Sequence, residues 1–175
     1  MDISRRDMFC KSMGMAAFGS LGAFGSNLSK AKTVGEEMEK TFFKLYPVGR
    51  VEKKDKSVRL RIFDRYIDAL KGLDGFSHAF VLYWFDKNDT PKNRSILQVH
   101  PRGNMKNPLT GVFACRAPVR PNLIALSICK ILSVEGGIVH IDKIDAFNES
   151  PVLDIKPYIP GSKTKDVRLP DWLKR

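Results

Sequence analysis

The chain has 175 residues, of which 43% are hydrophobic, and its formal net charge is +11 at pH 7. This length and composition predict one globular domain with a real core, and they exclude the disordered and collagen-like classes. The excess of lysine and arginine favours an anionic partner, and nucleic acid is the commonest one. The alternative is a basic surface without a partner.

The first 31 residues have the composition of an export leader. Arg5 and Arg6 precede a weakly apolar run, rich in glycine and alanine, from residue 13 to about residue 24. A twin-arginine signal has this order, and the run is too short for a stable membrane span. Residues 29–31 offer a small-x-small cleavage site, and residues 32–41 are a polar linker. The alternative is an amphipathic N-terminal helix.

Two strands and a short helix are predicted next. Residues 42–51 read as the first strand, with Phe43, Leu45 and Val48 facing inward. After a lysine-rich turn, residues 57–63 alternate between apolar and basic side chains, so a second strand buries one face only. Its apolar positions are Val58, Leu60 and Ile62, and its basic positions, expected to be solvated, are Arg59 and Arg61. Residues 64–71 predict a short helix that Gly72 ends.

The middle of the chain is predicted to contain strands separated by polar loops. Residues 79–85 are almost continuously apolar, which predicts a strand buried on both faces. A polar loop (residues 86–93), a short strand (residues 96–99) and a long loop rich in Pro, Gly and Asn (residues 100–109) follow. Long loops of this kind often carry function.

Residues 111–122 form a distinctive stretch. Residues 112–116 alternate as a half-buried strand does, and two prolines then prevent the sheet from continuing. We therefore predict a rigid corner that carries Arg116 and Arg120, with Asn122 just beyond it. Guanidinium and amide groups on a stiff backbone suit a carboxylate, a phosphate or a nucleobase edge. The alternative is an ordinary proline-rich loop with solvated arginines.

The remaining elements complete an all-β pattern. Residues 122–134 predict the longest strand, and Gly136 and Gly137 form a tight turn into a strand at residues 138–144. A loop and a closing strand, residues 152–158, come before the basic tail, residues 161–175, which either caps a barrel end or follows a nucleic-acid backbone. Many short strands and few helices predict a mainly β fold, an antiparallel barrel or sandwich.

The cysteines and histidines do not predict a metal site. Cys10, Cys115 and Cys129 do not form a Cys-x-x-Cys pair, and the three histidines are scattered. A disulfide between Cys115 and Cys129 is conceivable only if the chain is exported to an oxidising compartment.

Several ordered blocks resemble those of the TsaA-like (TrmO) family. The segment Gly-Val-Phe-Ala-x-Arg at residues 111–116, followed by Arg-Pro-Asn-x-Ile-x-Leu-Ser at residues 120–127, is similar to the family signature. Further blocks lie at residues 72–85, 100–104 and 150–160, so the resemblance covers roughly residues 44–160. It implies a small antiparallel β-barrel with short helices, used as a homodimer. It also implies a methyltransferase that uses S-adenosylmethionine to methylate N6 of threonylcarbamoyladenosine at position 37 of tRNA.

The resemblance also assigns site residues. Those expected to bind the cofactor are Phe85, Asp86, Arg116, Leu126, Asp145, Ala146, Phe147 and Asn148. Those expected to place the substrate are Arg120 and Asn122, and the catalytic candidates are Asp154, Lys156 and Tyr158. Asp154 has the chemistry to accept the proton of the target nitrogen. An equal alternative is that Asp154 and Lys156 form a structural ion pair on one strand face.

The chain departs from the family pattern in three places. A short turn at residues 51–57 replaces a longer connection with a Gln-Pro-Gly-like segment, Asp86 stands where His is usual, and residues 123–125 replace Pro-Ile-Gly. The leader also conflicts with a tRNA substrate, because an exported protein meets neither tRNA nor the cofactor. Two alternatives therefore stay open: an exported, non-catalytic barrel for a nucleoside-like or anionic ligand, and a structural basic β-protein.

Overall fold

The computed structural model describes residues 43–55, 57–160 and 168–173. The predicted leader, the whole predicted linker and most of the basic tail lie outside these residues. The described residues contain eight strands: β1 (Gly49–Lys54), β2 (Ser57–Ile62), β3 (His78–Trp84), β4 (Gln98–Val99), β5 (Thr110–Gly111), β6 (Ile124–Glu135), β7 (Ile138–Ile141) and β8 (Pro151–Pro157). In the part of the chain that the structure describes, one short α-helix, α1, spans Pro91–Arg94. The 3-10 helices are Asp64–Leu70, Leu73–Gly75, Asp86–Asn88, Pro101–Gly103, Val112–Ala114 and Asp171–Leu173.

Six strands close into an antiparallel barrel in the order β1-β2-β7-β6-β3-β8, and β4 pairs with β5 in a separate two-stranded sheet. The barrel closes where Gly49 of β1 pairs with Val152 of β8. Closure removes exposed sheet edges, which is how small antiparallel folds avoid edge-to-edge association. The predicted mainly β fold, a small barrel with short helices, is confirmed.

The alternation of the sequence explains which side chains fill the barrel. Leu60 and Ile62 of β2 are buried, whereas Arg59 and Arg61 between them face outward. In β3, Ala79, Val81 and Tyr83 are buried and the intervening side chains are half-buried. The prediction that β3 is buried on both faces is therefore wrong, because only its inner face meets the core.

The β6–β7 hairpin depends on the two glycines that the sequence indicated. Gly136 and Gly137 have φ of 54° and 80°, a region that favours glycine. The carbonyl of Gly137 accepts a hydrogen bond of 2.8 Å from the backbone N–H of Ile62, which ties the turn to β2. A Cβ on Gly137 would lie 2.9 Å from Cδ1 of Ile67. The turn therefore requires glycine for both its conformation and its packing.

Two strand predictions are wrong. The first strand begins at Gly49 rather than at residue 42, and Phe43 and Leu45, predicted to face inward, are 79% and 60% exposed. Residues 43–46 belong to a different compact unit from residues 47–160, which contain the barrel strands. Residues 112–114 form a 3-10 turn instead of a strand, because the next residues must pass two prolines.

Residues 90–122, between β3 and β6, enclose a small core of their own, separate from the barrel core. Val99, Val112, Ala117 and Val119 are buried together, and β4 pairs with β5 beside them. Cys115 borders this core, whereas Cys129 is buried in β6. Both are free thiols, so the Cys115–Cys129 disulfide that the sequence allowed does not form. None of the helices in the described residues has the length and apolar character needed to cross a membrane.

Candidate functional site

The end of β3 brings two distant parts of the chain together. Phe85 follows β3, and its side chain is buried against the Tyr83 ring, with the ring centroids 5.7 Å apart. Its backbone N–H donates a hydrogen bond of 2.9 Å to the carbonyl oxygen of Leu123. Leu123 is fully buried although its φ is 52°, an unusual value for leucine. The predicted site residues Phe85 and Asn122, which precedes Leu123, are therefore neighbours along this connection.

Asp86 contacts the loop before β8. The hydroxyl of Ser150 donates a hydrogen bond of 3.1 Å to Oδ1 of Asp86, and the Ser150 side chain is fully buried. Nearby, the ammonium of Lys87 lies 4.9 Å from the centre of the Phe147 ring. These contacts join residues 85–87 to residues 147–150 at one end of the barrel, which we call the barrel rim.

Hydrogen bonds from β3 and β1 hold residues 144–148 of the rim in place. The Tyr83 hydroxyl donates to the carbonyl of Asp145 at 2.7 Å. Two bonds come from Lys53 in β1: its backbone N–H donates to Oδ1 of Asn148 at 2.7 Å, and its ammonium donates to the Ile144 carbonyl at 3.0 Å. Ala146 is buried between these anchors. Six of the eight predicted cofactor residues, Phe85, Asp86, Asp145, Ala146, Phe147 and Asn148, thus share the rim.

The predicted corner is rigid, but not for the predicted reason alone. Nη2 of Arg120 donates to the carbonyls of Val112 at 2.7 Å and Cys115 at 3.3 Å, which closes the base of the turn. Ala117, Pro118 and Val119 are buried, and Arg116 is exposed. In the described residues Arg116 makes no ion pair or side-chain hydrogen bond, so its guanidinium is available for an anion. Arg120, predicted to place substrate, has a structural role as well.

Asn122 lies at the junction of the corner and the rim, and its side chain is exposed. On one side the carbonyl of Pro121 accepts a hydrogen bond of 2.8 Å from Nη1 of Arg94. The guanidinium of Arg94 also pairs with Asp89 at 2.7 Å and lies 5.2 Å from the Trp84 ring centre. This pairing holds the pKa of the Asp89 carboxyl below its ordinary value. Arg94 therefore fixes the backbone that presents Asn122.

The other predicted residues lie on the outer face of the barrel. Leu82 of β3 pairs with Leu126 of β6 on one side and with Asp154 of β8 on the other. The ammonium of Lys156 lies 2.8 Å from Oδ2 of Asp154, so the ion pair offered as an alternative is present. Leu126 is 47% exposed, and Tyr158 packs edge-on against Phe80 at 5.3 Å. Leu126, Asp154, Lys156 and Tyr158 thus belong to one surface.

A second charged cluster lies on the outer face of β1 and β2. Glu52 accepts hydrogen bonds from Arg59 at 2.7 Å and Arg61 at 2.5 Å, with Arg50 at 3.6 Å. The bond from Arg61, with help from Arg59, lowers the pKa of Glu52 against the opposing effect of burial. Arg59 and Arg61, expected to be solvated, are 36% and 42% exposed, and both also pair with Glu52.

A cavity of about 240 Å³, which none of the rim residues lines, lies between the Asp64–Leu70 helix, β2 and β8. Its lining is largely apolar and includes Tyr66, Leu70 and Phe76. Asp154 is the one predicted site residue that borders it.

Cys129 lies in the barrel core, where burial raises the pKa of its thiol to about 12, so it is an unreactive apolar side chain.

Three residues that organise the site were not predicted: Ser150, Lys53 and Arg94. Ser150 begins the block at residues 150–160, so its position next to a predicted loop was a usable signal. Lys53 and Arg94 gave no such signal, because surface lysines and arginines are common. Their roles depend on backbone carbonyls that are distant in sequence.

Comparison with known proteins relates the chain to one family. The profile of the tRNA-methyltransferase O N-terminal domain matches residues 44–164. A probable S-adenosyl-L-methionine-binding protein of Methanocaldococcus jannaschii is 48% identical over 112 residues, which cover 64% of this chain and 89% of that protein. The human tRNA (adenine(37)-N6)-methyltransferase is 44% identical over 102 residues, which cover 58% of this chain and 22% of that enzyme.

Solved structures agree with these matches. A crystal structure of TrmO superimposes with a TM-score of 0.57 at 28% sequence identity, covering 74% of this chain and 64% of that one. TrmO from Pseudomonas aeruginosa gives a TM-score of 0.56 at 26% identity, covering 73% of this chain and 62% of that one. The chain therefore spans less than two thirds of the length of these solved structures.

Proposed function

The chain belongs to the tRNA-methyltransferase O N-terminal domain family, and on that basis we propose that it transfers a methyl group from S-adenosylmethionine to N6 of adenine 37 in tRNA. The observation that carries the proposal is the barrel rim. Asp86 and Ser150, far apart in sequence, are hydrogen-bonded there beside the Asp145–Asn148 loop. The non-catalytic exported barrel is not favoured, since the matched relatives are named as S-adenosylmethionine-binding proteins and tRNA methyltransferases.

The residue types at the rim fit the cofactor. A carboxylate suits ribose hydroxyls, and the Ser150 bond fixes Oδ1 of Asp86 and leaves Oδ2 to accept another hydrogen bond. Arg116 is exposed on the corner, and its guanidinium has the chemistry to pair with the carboxylate of the amino-acid part. Phe147 at the rim and Leu126 on the outer face of β6 offer apolar side chains to the cofactor. The short β1–β2 turn removes the Gln-Pro-Gly-like segment, so these residues carry more of the binding.

The reaction needs placement more than acid–base chemistry. The cofactor, when bound, supplies a methyl group that is activated by a positive sulfur. The protein must hold the N6 amine in line with that methyl group and exclude water. Asp154 is the proposed acceptor of the proton that N6 releases, and the Lys156 ammonium, 2.8 Å away, orients its carboxylate.

A second copy of the chain completes the proposed enzyme. The outer face of β6 carries exposed Leu126, Ile128 and Leu132, at 47%, 52% and 60%. Phe80 and Leu82 of β3 extend this apolar surface by their register with Ile128 and Leu126. Exposed contiguous apolar surface of this kind is typical of interfaces between protein chains. Because Leu126, Asp154 and Lys156 border it, a homodimer would place the catalytic residues at the interface.

The proposed function also implies a cytoplasmic location, where tRNA and the cofactor are present. A leader at residues 1–31 would contradict it. Fusing residues 1–35 to a reporter tests the point, with the Arg5→Lys/Arg6→Lys double variant as control. Export that the double variant abolishes would overturn the cytoplasmic assignment.

Methyl transfer is tested directly on the purified full-length chain. The substrates are methyl-labelled S-adenosylmethionine and tRNA that carries either adenosine or threonylcarbamoyladenosine at position 37, and the product is identified by mass spectrometry. We expect transfer to N6, with preference for the threonylcarbamoylated tRNA. Arg116→Ala should weaken cofactor binding in calorimetry at least tenfold, whereas Arg65→Ala, an exposed arginine remote from the rim, should not. Absence of cofactor binding by the wild-type chain would refute the function.

A further inference from the structure

The positive charge of the chain is concentrated in one segment. Residues 90–134 contain no aspartate or glutamate. Six basic residues lie within residues 90–122, which we call the basic segment, and the whole chain has a net charge of +11. They are Lys92, Arg94, Arg102, Lys106, Arg116 and Arg120. The basic segment therefore contributes +6 of the net charge of +11 and contains no acidic side chain.

The same segment exposes large apolar side chains. Phe113 is 83% exposed, and Met105, Leu97 and Leu109 are 75%, 61% and 57% exposed. An aromatic ring this exposed gains little from folding, so its position is better explained by a partner than by stability. Basic side chains interleaved with an exposed aromatic are typical of surfaces that bind single-stranded nucleic acid.

The ring of Phe113 stands on a rigid base. Its neighbour Val112 is buried in the small core, and the Val112 carbonyl is bonded to Arg120 at 2.7 Å. Arg94 and Arg120 are engaged in such structural bonds. Lys92, Lys106 and Arg116, in contrast, are exposed and have no side-chain partner in the residues that the structure describes. The segment thus separates anchoring cations from cations that are available to a ligand.

We propose that the basic segment is the RNA-binding surface of the protein, with Phe113 stacking on an unpaired base and Lys92 and Lys106 contacting phosphates. This inference rests on the proposed function, since it names the surface that receives the anticodon loop. A second copy of the chain is a poorer occupant of this surface. An interface between two basic segments would place six basic residues of one copy opposite six of the other, and their like charges would repel. An unpaired loop satisfies both features, since it offers phosphates and base faces together.

The stacking role is tested by fluorescence anisotropy with the full-length chain and two labelled probes, a tRNA anticodon stem-loop and a blunt RNA duplex. Phe113→Ala should weaken binding of the stem-loop about five- to hundredfold, as expected for one lost base stack. Phe113→Trp should keep the affinity, and duplex binding should change less than twofold. Phe43→Ala is the matched control, because Phe43 is also 79% exposed but lies outside the segment.

The phosphate contacts are tested through the dependence of affinity on salt. Lys92→Gln/Lys106→Gln should reduce the slope of log K against log salt by about 1.4, at roughly 0.7 for each contact with single-stranded RNA. The control, Lys71→Gln/Lys143→Gln, removes the same charge from exposed positions outside the segment. An equal effect of the two pairs would show nonspecific attraction and overturn the proposal.

Two further outcomes would also overturn it. If Phe113→Ala converts a dimer to a monomer in sedimentation, the surface is an interface between copies. If the wild-type chain binds anionic phospholipid vesicles more tightly than the stem-loop, the surface recognises a membrane. Because these assays measure binding without methyl transfer, they separate the two hypotheses. Methyl transfer with unchanged RNA affinity in the variants refutes only the surface, and intact RNA effects without methyl transfer refute only the reaction.

Discussion

The Ser150 hydroxyl donates a hydrogen bond to the Asp86 carboxylate across 64 positions of sequence. Ser150 is fully buried, so this bond has no competition from water at the serine. Asp86 follows the end of β3 and Ser150 precedes β8, two strands that are neighbours in the barrel. The bond therefore fixes an acidic side chain at the rim by means of the barrel's own topology.

Ser150→Ala should loosen Asp86 without removing it. We expect the dissociation constant for S-adenosylmethionine to rise three- to tenfold, which corresponds to about 1 kcal/mol for one lost hydrogen bond. Calorimetry on the full-length chain measures this, with Asp86→Asn as the stronger comparison. Ser57→Ala, at an exposed position of β2, is the control. If the dissociation constant is unchanged in Ser150→Ala but raised in Asp86→Asn, the Ser150 bond does not position the carboxylate.

Much of the barrel was predictable from alternation and glycines. The pattern of residues 57–63 places Leu60 and Ile62 inward as observed, and the glycine pair marks the β6–β7 turn. The errors occurred where local pattern and tertiary context disagree. Residues 112–116 alternate like a strand, but the buried Ala117 and Val119 and the Arg120 bonds favour a 3-10 turn at residues 112–114.

The site was less predictable than the fold. The resemblance indicated the rim residues, and contacts such as that between Lys87 and Phe147 show that their segments do meet. Their roles in binding stay predictions. Periodicity alone does not reveal that Lys53 supports the rim, because its partners, Asn148 and Ile144, are more than 90 positions away. Such long-range side-chain bonds depend on barrel closure, which no local window of sequence contains.

Arg120 has two candidate roles that a conservative substitution separates. Arg120→Ala removes both carbonyl contacts in the corner and should lower the free energy of unfolding by about 1–3 kcal/mol, measured by urea denaturation. Arg120→Lys keeps a charge but not the fork that reaches both carbonyls. If Arg120 acts only on structure, the lysine variant should lose tRNA affinity in proportion to its lost stability. A large loss of affinity in a stable lysine variant would support the substrate role.

Glu52 should make stability depend on pH below neutrality. Its pKa in the folded chain is lower than in the unfolded chain, mainly because of the Arg61 bond, so its contribution is present above the unfolded value. That contribution is lost as the pH falls through the lowered folded pKa. Glu52→Gln should therefore destabilise the chain by up to about 1 kcal/mol at pH 7 and by less at pH 3.

Urea denaturation at the two pH values measures this difference. Glu135→Gln is the control, because Glu135 is an exposed carboxylate that forms no ion pair with any other described residue. A loss of stability in Glu52→Gln that is the same at pH 3 and pH 7 would contradict the ionic origin of the effect.

Gly49 should tolerate no side chain. A Cβ there would lie 2.3 Å from the carbonyl oxygen of Arg61, which is backbone and is fixed by the β1–β2 pairing. Gly49→Ala should therefore cost about 2–4 kcal/mol or prevent barrel closure. Gly75→Ala is the control, because a Cβ at Gly75 meets no atom within 4 Å. Thermal denaturation compares the two, and equal melting temperatures would show that β1 can shift at the closure point.

Asp154 distinguishes catalysis from structure in the outer-face pair. Its side chain is 44% exposed and that of Lys156 is 64% exposed, so their ion pair contributes little stability, on the order of 0–1 kcal/mol. A proton acceptor should behave differently: Asp154→Asn should lower kcat about 10²- to 10⁴-fold without changing cofactor affinity. Lys156→Gln should lower kcat less, because it only orients the carboxylate. If both variants keep kcat within twofold while the melting temperature falls slightly, the pair is structural and the proton leaves N6 by another route.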